Sequence, residues 1–266
     1  MSSSSNVKEP LNYALITGGS RGIGFAIANA LAKRNYNLIL VARAYESLTS
    51  AKEKLEASTG VHVEIMSHDL THAESATAVA QWCIQQDVRL KFLCNASGIG
   101  GEKDYLSLPL PDLQQMVSLN FGPCMSLSLL LLPLLEKNAP SYILNVSSLA
   151  GFAPMPSKNI YAATKAAVIH FSYALRFQLK QKNISVSCLA PGPVFTKPSI
   201  EAVTKKKMGW FGVQMAVSPE EVGELAVRKT LARKLMIVPG TLAKISAAII
   251  RTLPKTWMTS IYGARG

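Results

Sequence analysis

The sequence predicts an α/β fold in which helices cover both faces of a parallel β-sheet. Short apolar segments alternate with longer segments of helical periodicity along most of the chain. The glycine-rich and polar motifs directly follow the apolar segments, and in parallel sheets ligands bind at the carboxyl ends of the strands. The arrangement therefore predicts a single edge of the sheet that carries the function.

Composition sets the organisation of the chain. Its 266 residues are 48% hydrophobic and 17% charged, which is typical of a globular protein and requires only one domain. We expect a disordered, serine-rich tail at residues 1–10, which lacks the apolar core of a signal peptide. We expect the α/β domain at residues 11–240 and an amphipathic extension of that domain at residues 241–266.

Charge and cysteine usage exclude several classes of function. The four cysteines lie far apart in apolar segments, which indicates core thiols and a cytoplasmic protein. His68 and His72 flank a strand end without the spacing of metal ligands, so we expect no metal. The net charge of +12 fits an anionic partner, but no basic stripe is interleaved with aromatic residues. We therefore expect no nucleic-acid binding and favour a phosphate-bearing cofactor or a membrane surface.

The first motif follows the predicted strand 13–17 and precedes the predicted helix 25–33. Between them lies Thr-Gly-Gly-Ser-Arg-Gly-Ile-Gly, and such glycines let the backbone approach a pyrophosphate at the helix amino end. A glycine-rich turn of other purpose is the alternative, and the strand and helix on either side favour a dinucleotide. The candidate cofactor residues here are Gly18, Ser20, Arg21, Gly22, Ile23 and Gly24.

Further strands are predicted from short apolar runs, and helices from apolar periodicity. One predicted helix, residues 113–135, contains no formally charged residue and has the length of a membrane span. Asn120, Gly122, Pro123 and Pro133 favour a buried helix instead. The other predicted strands are residues 38–41, 61–66, 90–94, 142–146, 184–189 and 235–238, and the other helices are 44–57, 161–179, one starting near Ala73 and one capped by Ser218.

The second motif is Tyr161-Ala-Ala-Thr-Lys165 on the predicted helix 161–179. Residues four apart share a helix face, so the Lys165 ammonium lies near the Tyr161 ring. A nearby cation favours phenolate, which predicts a lowered pKa for Tyr161 and a role in proton transfer. Ser148 lies thirteen residues upstream of Tyr161, at the end of the predicted strand 142–146. A surface tyrosine packed on a lysine stem is the alternative for the pair alone.

Together, the glycine turn and the Tyr-x-x-x-Lys pair resemble the short-chain dehydrogenase/reductase family, which has a Rossmann-type fold with a seven-stranded parallel sheet. The resemblance covers about residues 11–240. The sequence departs from the family after the fourth predicted strand, at Cys94 and in the following Asn95-Ala-Ser-Gly98. The family usually has Asn-Asn-Ala-Gly here, and Cys94 and Ser97 replace two of these residues. The resemblance implies that Tyr161 is the proton donor, that Lys165 lowers its pKa and holds the nicotinamide ribose, and that Ser148 binds the substrate oxygen. Asn120 would support the proton relay, and Ser147 is the alternative to Ser148.

The end of the second strand suggests which dinucleotide binds. NAD enzymes usually carry an acid there for the ribose 2′-hydroxyl, whereas this chain has Ala42-Arg43. Arg43 and Arg21 are suited to a 2′-phosphate, which predicts NADP(H), although two solvated arginines are the alternative. Asp69 faces the adenine in the resembled family or caps the next helix. The resemblance adds Asp69, Leu70, Asn95, Ala96, Tyr161, Lys165, Pro191, Gly192, Val194 and Thr196 to the cofactor site.

The resulting functional hypothesis is an NADP(H)-dependent oxidoreductase that reduces a carbonyl or oxidises a secondary alcohol. A catalytically silent dinucleotide-binding or membrane-surface protein on the same fold is the alternative. The predicted helices 113–135 and 161–179 are apolar around most of their circumference, which predicts a homodimer or homotetramer.

The carboxyl-terminal third suggests the substrate class. The segment 205–212 has the composition of a lid, and the apolar lid residues Met208, Trp210, Phe211 and Met215 predict a hydrophobic, acyl- or steroid-like substrate. In the tail, apolar residues recur near helical spacing with cations between them, which fits peripheral contact with an anionic membrane. A tail packed on its own domain is the alternative. The tail residues are Leu242, Lys244, Ile245, Ile249, Arg251, Leu253 and Lys255.

Overall fold

The protein, described here by a computed structural model over residues 11–100, 105–194 and 216–263, is built on a seven-stranded sheet. Every pair of neighbouring strands is parallel, and the spatial order is β3-β2-β1-β4-β5-β6-β7. The predicted Rossmann-type fold is confirmed. The strands are β1 (Tyr13–Thr17), β2 (Asn37–Ala42), β3 (Val63–Ser67), β4 (Leu90–Asn95), β5 (Ser141–Val146), β6 (Ile184–Leu189) and β7 (Met236–Ile237).

The helices alternate with the strands, and the predicted tail at residues 1–10 lies outside the described residues. The helices are α1 (Gly22–Ala32), α2 (Tyr45–Thr59), α3 (Ala73–Gln85), α4 (Leu110–Leu130), α5 (Leu132–Lys137), α6 (Asn159–Leu179), α7 (Pro219–Leu231), α8 (Thr241–Thr252) and α9 (Lys255–Gly263). Among the described helices, none has the length and apolar content needed to cross a bilayer.

Both faces of the sheet are covered, which explains why the strands are continuous apolar runs. Ile16 of β1 packs into a core formed with α1, α2 and α7, whereas its neighbour Leu15 packs into a core formed with α3, α4, α5 and α6. Successive side chains of a strand point to opposite faces, so each strand supplies both cores. Every residue of β6, which lies between β5 and β7, is buried.

Helix ends follow local chemistry. The Ser218 hydroxyl accepts a hydrogen bond from the Glu221 amide at 3.2 Å, and the Glu221 carboxylate accepts one from the Ser218 amide at 3.3 Å. This capping box confirms the predicted start of α7. At the other end of a helix, Gly60 terminates α2 in the left-handed conformation, with φ of +73°.

The predicted helix 113–135 is divided into α4 and α5, with the break at Leu131. Pro133 lies in the first turn of α5, where its missing N–H leaves no hydrogen bond unmade. Pro123 is accommodated inside α4. The prediction of a buried helix is right for one face of α4 only, since Val117, Met125 and Leu129 are exposed, and it missed the division into two helices.

The tail packs on the rest of the chain. Ala243, Ala247, Ile250 and Met258 are buried in a third core that also contains Phe152. The alternative interpretation of the tail, packing on its own domain, therefore describes the inner faces of α8 and α9. Their outer faces remain exposed.

Strand order sets the position of the site. The chain passes from β1 outward through β2 to β3 and then returns to place β4 on the other side of β1. The loops that leave β1 and β4 therefore diverge to opposite faces, and a crevice opens between them at the carboxyl edge. Those predicted motifs that the structure describes lie at this carboxyl edge of the sheet.

Candidate active site

Three predicted catalytic residues come together at the carboxyl end of β5. Ser148 follows β5 by two residues, and its side chain is near enough to the Tyr161 phenol on α6 to act on the pKa of that phenol. The Lys165 ammonium, one turn further along α6, lies 5.8 Å from the centre of the Tyr161 ring. A hydroxyl, a phenol and an ammonium thus form one cluster, as the spacing of these residues predicts.

The adjacent serines have different roles. Ser147 is buried, and its hydroxyl donates to the Lys165 carbonyl at 2.7 Å. Ser148 is only partly buried, and its hydroxyl accepts from the Ala150 amide at 3.2 Å, at the start of a 3₁₀ turn. Because the Ser147 proton is already held by a helix carbonyl, Ser148 is the serine that faces Tyr161. The geometry supports the choice of Ser148 over its neighbour.

Lys165 is a buried cation, with 5% of its surface exposed. Its ammonium donates to the Val146 carbonyl at 3.0 Å. Burial lowers the pKa of Lys165 to about 8, and the neighbouring thiols of Cys124 and Cys188 act weakly in the opposite direction. Lys165 therefore keeps its charge at neutral pH and loses it at mildly alkaline pH.

The predicted pKa shift of Tyr161 is wrong in direction. Burial raises the pKa of the phenol above its ordinary value, and the hydrogen bond with Ser148 opposes this rise without cancelling it. The cost of removing a phenolate from water is larger than the effect expected from the nearby cation. In this structure Tyr161 therefore holds its proton through the neutral range.

Asn120 ties three parts of the site together. Its amide oxygen accepts from the Ile99 amide at 2.8 Å, and its amide nitrogen donates to the Ile99 carbonyl at 2.9 Å and to the Thr164 hydroxyl at 3.1 Å. Thr164 in turn donates to the Tyr161 carbonyl at 2.8 Å. These contacts give Asn120 a structural role, and its part in a proton relay stays a prediction. Sequence analysis missed Thr164, although it lies inside the Tyr161–Lys165 motif.

The segment after β4 passes directly against these side chains. A methyl group on Gly98 would lie 3.0 Å from the Asn120 amide oxygen and 3.3 Å from the Lys165 ammonium. A methyl group on Gly100 would lie 3.1 Å from the Tyr161 ring. A side chain at either position would press on these groups, so the two glycines allow the segment to pass close to them.

The glycine turn connects β1 to α1. Gly18 adopts φ of +66°, and a methyl group on Gly24 would lie 2.2 Å from the Gly18 carbonyl oxygen. Helix α1 is therefore held directly against the turn. Ile23 packs on the core behind it, whereas Gly22 and Ser20 are partly exposed at its surface.

The turn fits the pyrophosphate of a dinucleotide. Arg21 is the N-cap residue of α1, and its side chain makes no capping hydrogen bond within the described residues. The amides of the first turn therefore remain available, and they lie at the positive end of the helix dipole. An anion is the natural partner of such a terminus.

The end of β2 carries the predicted determinants of the 2′-phosphate and adenine. The Arg43 guanidinium lies 3.8 Å from the Asp69 carboxylate, which also accepts from the Thr71 amide and hydroxyl at 3.0 and 2.8 Å. Partial burial acts to raise the pKa of Asp69, but Thr71 and Arg43 outweigh it and the pKa is lowered. The cap of α3 is His72, so the proposed helix cap at Asp69 is wrong, and Leu70 is a buried core residue.

Arg21 lies in a different environment from Arg43. It lines a cavity of about 470 Å³ between the glycine turn and α2. The two arginines were predicted to flank one phosphate, and their joint contact stays a prediction. Sequence analysis missed most of this lining, because a helix surface gives no signal for a cavity. The other lining residues are Ser20, Phe25, Glu46, Ser47, Ser50, Ala51 and Lys54.

The end of β4 is fixed by Thr17. The Thr17 hydroxyl oxygen accepts from the amides of Ala96 and Ser97, each at 3.0 Å. Asn95 turns inward, where its amide donates to Asn145 at 2.8 Å and to Ser128 at 3.2 Å. The Asn95 side chain therefore joins β4, β5 and α4, and the predicted part of Asn95 in the cofactor site stays a prediction.

The segment after β6 lies next to the Ser148 side of the site. Pro191 is buried, and its carbonyl accepts from the Leu149 amide at 3.0 Å, next to Ser148. Gly192 is partly buried, and Val194 forms an isolated parallel bridge with Val217. Thr196 and the predicted lid at residues 205–212 lie outside the described residues, as do Met208, Trp210, Phe211 and Met215.

A fold with a nucleotide-binding switch point and a Ser, Tyr and Lys cluster defines a dinucleotide-dependent oxidoreductase. The model of the short chain dehydrogenase family matches residues 12–207. The chain belongs to the short-chain dehydrogenase family.

Two relatives in sequence are named as 3-oxoacyl reductases. The very-long-chain 3-oxoacyl-CoA reductase-A of Danio rerio is 30% identical over 217 residues, covering 76% of this chain and 67% of its own. The 3-oxoacyl-acyl-carrier-protein reductase of Chlamydia trachomatis is 29% identical over 217 residues, covering 80% of this chain and 88% of its own.

Solved structures resemble the fold closely. L-sorbose reductase from Gluconobacter frateurii, complexed with NADPH and L-sorbose, superposes with a TM-score of 0.76 at 27% identity, covering 86% of this chain and 95% of its own. A 7beta-hydroxysteroid dehydrogenase superposes with a TM-score of 0.85 at 18% identity, covering 95% of this chain and 96% of its own, which shows a shared fold.

Proposed function

We propose that this protein is an NADP(H)-dependent carbonyl reductase, able to oxidise the corresponding secondary alcohol, with a hydrophobic acyl- or steroid-like substrate. The observation that carries the proposal is the cluster of Ser148, Tyr161 and Lys165 beside a glycine turn suited to a pyrophosphate. Family membership supports the same reaction class.

The residues divide the chemistry between them. Tyr161 donates a proton to the carbonyl oxygen, and its raised pKa keeps the phenol protonated for this step. Ser148 holds the same oxygen, and the Lys165 cation stabilises the phenolate that remains. Asn120 holds the segment after β4 against Lys165 and supports the relay. The bound nicotinamide supplies the hydride, so the protein contributes orientation and the proton.

NADP(H) is preferred over NAD(H) because a cation, Arg43, stands directly after β2, where NAD enzymes carry an acid. Arg43 is half exposed, and Arg21 adds a second cation from the glycine turn. The remaining contacts come from the first turn of α1 and from Ala96, Pro191, Gly192, Val194 and Thr196. Solved relatives in complex with NADPH support this preference.

A hydrophobic substrate is supported from two sides. Leu149 and Met155, which follow Ser148, are apolar and partly exposed, and they pack against the core that contains Phe152. The sequence relatives are named for 3-oxoacyl substrates. A chain of carbon atoms attached to the reacting carbonyl suits such surroundings.

The experiment is a screen of carbonyl compounds by NADPH absorbance. It should include short and long 3-oxoacyl thioesters, a ketosteroid and a keto sugar, each with NADPH and with NADH. We expect turnover of a long-chain or steroid ketone with NADPH. Turnover of the keto sugar alone would contradict the substrate class, and no turnover with bound NADPH would favour the catalytically silent alternative.

Exposed apolar helix faces support a homo-oligomer. Phe177 of α6 is 83% exposed, and five large apolar residues of α4 are exposed as well. Such faces are uncommon on monomers and mark protein interfaces. The α4 residues are Leu110, Val117, Met125, Leu129 and Leu130. Light scattering should give a dimer or tetramer, and Phe177→Lys should weaken it, whereas a wild-type monomer at micromolar concentration would contradict the proposal.

The outer faces of α8 and α9 support peripheral contact with an anionic membrane. Ile245, Ile249 and Trp257 are more than half exposed, and Lys244 lies beside them. Truncation of the tail would uncover the core, so substitutions are the better test. Ile249→Ser with Trp257→Ser should reduce binding to anionic vesicles, whereas Ile84→Ser, an exposed apolar control on α3, should not. Equal binding by all three proteins would contradict this contact.

A further inference from the structure

The chain between Ser148 and Tyr161 is confined on its inner side by α6. A methyl group on Gly151 would lie 2.8 Å from the Lys165 carbonyl carbon and oxygen. This segment begins with the 3₁₀ turn Leu149–Phe152, which Ser148 caps through its hydroxyl. The orientation of the Ser148 hydroxyl is therefore coupled to the conformation of this turn.

The outer side of the same turn is held by the carboxyl-terminal helices. The Lys255 ammonium donates to the Phe152 carbonyl at 2.8 Å. The Arg251 guanidinium lies 5.8 Å from the centre of the Phe152 ring. Two cations from different helices thus converge on one residue, on its backbone and on its ring.

The location of Lys255 argues that this contact is specific. Lys255 is the first residue of α9, where the helix dipole disfavours a cation. The charge is stabilised there by the Phe152 carbonyl, through a charge-assisted hydrogen bond. Arg251 adds a cation–π contact to a ring that is nearly buried.

We propose that Arg251 and Lys255 are positioning residues of the active site, which fix the Ser148 turn through Phe152. The inference rests on the proposed function, because it assigns to Ser148 the binding of the carbonyl oxygen. The tail that supplies both cations lies beyond residues 12–207, the part of the chain that matches the family model. Release of Phe152 loosens the turn and lowers the rate of the chemical step, while the cofactor residues of β1, β2 and α1 are unaffected.

The test uses the full-length protein with Arg251→Met and Lys255→Met, singly and together. Methionine keeps most of the apolar stem and removes the charge. We expect the double variant to lose about ten- to a hundredfold in kcat, as small displacements of a catalytic group do, with KM for NADPH unchanged. Lys255→Arg keeps a donor and should restore most of the rate. Lys180→Met, an exposed cation at the end of α6, is the control and should behave as wild type.

Hydrogen exchange gives a second readout that does not require turnover. Peptides covering residues 149–158 should exchange several-fold faster in the double variant, whereas peptides covering α1 should not change. Unchanged exchange at residues 149–158, or an unchanged kcat in an active enzyme, overturns the proposal. A loss of activity that follows only the fraction of unfolded protein also overturns it. If the wild type reduces no carbonyl, the proposed function fails, and hydrogen exchange alone decides whether the tail holds the turn.

Discussion

The cofactor half and the catalytic half of the site use cations in different surroundings. Arg43, at the end of β2, is 50% exposed and lies 3.8 Å from Asp69. Lys165, on α6, is 5% exposed, and burial brings its pKa down to about 8. Water screens the first charge, so it selects an anion without a large effect on folding. The second charge is costly to bury, and that cost shifts proton affinities at the reacting centre.

The sharpest test of this contrast removes the Tyr161 hydroxyl. Tyr161→Phe keeps the ring and loses the proton donor, so kcat should fall by about 10²- to 10⁴-fold. NADPH affinity, measured by fluorescence titration, should stay near that of wild type because the cofactor half is intact. Activity equal to wild type would remove Tyr161 from the mechanism.

Burial of the Lys165 charge should be visible in stability. The folded pKa of about 8 lies below the ordinary value of 10.5, so the unfolded chain binds more protons between these pH values. The free energy of unfolding of wild type, relative to Lys165→Met, should therefore rise by about 3 kcal/mol from pH 8 to pH 10.5. Urea denaturation of both proteins across this range measures the difference. A difference independent of pH would mean that Lys165 is not a buried cation.

The adjacent serines separate catalysis from folding. Ser148→Ala should lower kcat about a hundredfold, since it removes a donor to the reacting oxygen. It should cost less stability than Ser147→Ala, because Ser148 is only partly buried and water can replace its hydroxyl at the Ala150 amide. Ser147→Ala should cost about 1 kcal/mol of stability, because it breaks the hydrogen bond to the Lys165 carbonyl. Steady-state kinetics and thermal denaturation of the pair distinguish the roles. The reverse pattern would assign the catalytic role to Ser147.

Removal of the exposed charge should have the smallest effect. Arg43→Ala should weaken NADPH binding about tenfold, the low end for a charge-assisted contact because the side chain is half exposed. NADH binding should be unchanged, and Lys33→Ala, an exposed cation at the end of α1, is the control. Parallel titrations with both cofactors measure the effect, and a wild-type preference for NADH would overturn the assignment.

Much of this architecture could be predicted from the sequence, because local patterns determine it. Six strands follow from short apolar runs and β3 from an alternating pattern, and the capping box of α7 follows from Ser218-Pro-Glu-Glu221. The grouping of Ser148, Tyr161 and Lys165 follows from spacing on a strand end and a helix face. These features depend on neighbours in the chain.

The predictions failed where distant residues decide. The pKa of Tyr161 depends on how completely folding buries the phenol, which no motif encodes. No sequence pattern indicates that the Asn95 side chain turns inward, because its partners Ser128 and Asn145 belong to other elements. The division of the helix 113–135 at Leu131 and the role of Phe152 depend likewise on tertiary packing.

The four buried cysteines give the protein an internal reporter of its own opening. All four are free and buried, and burial raises the pKa of each thiol. Thiolate is the reactive form, so an aqueous alkylating reagent should not modify them until a local or global fluctuation exposes them. Cys83 is on the face of α3 that packs against the sheet, whereas Cys124 and Cys188 lie near Lys165. The labelling rate of Cys83 would therefore measure how often α3 moves away from the sheet, and the rates of Cys124 and Cys188 how often the surroundings of Lys165 open. The comparison needs no engineered cysteine.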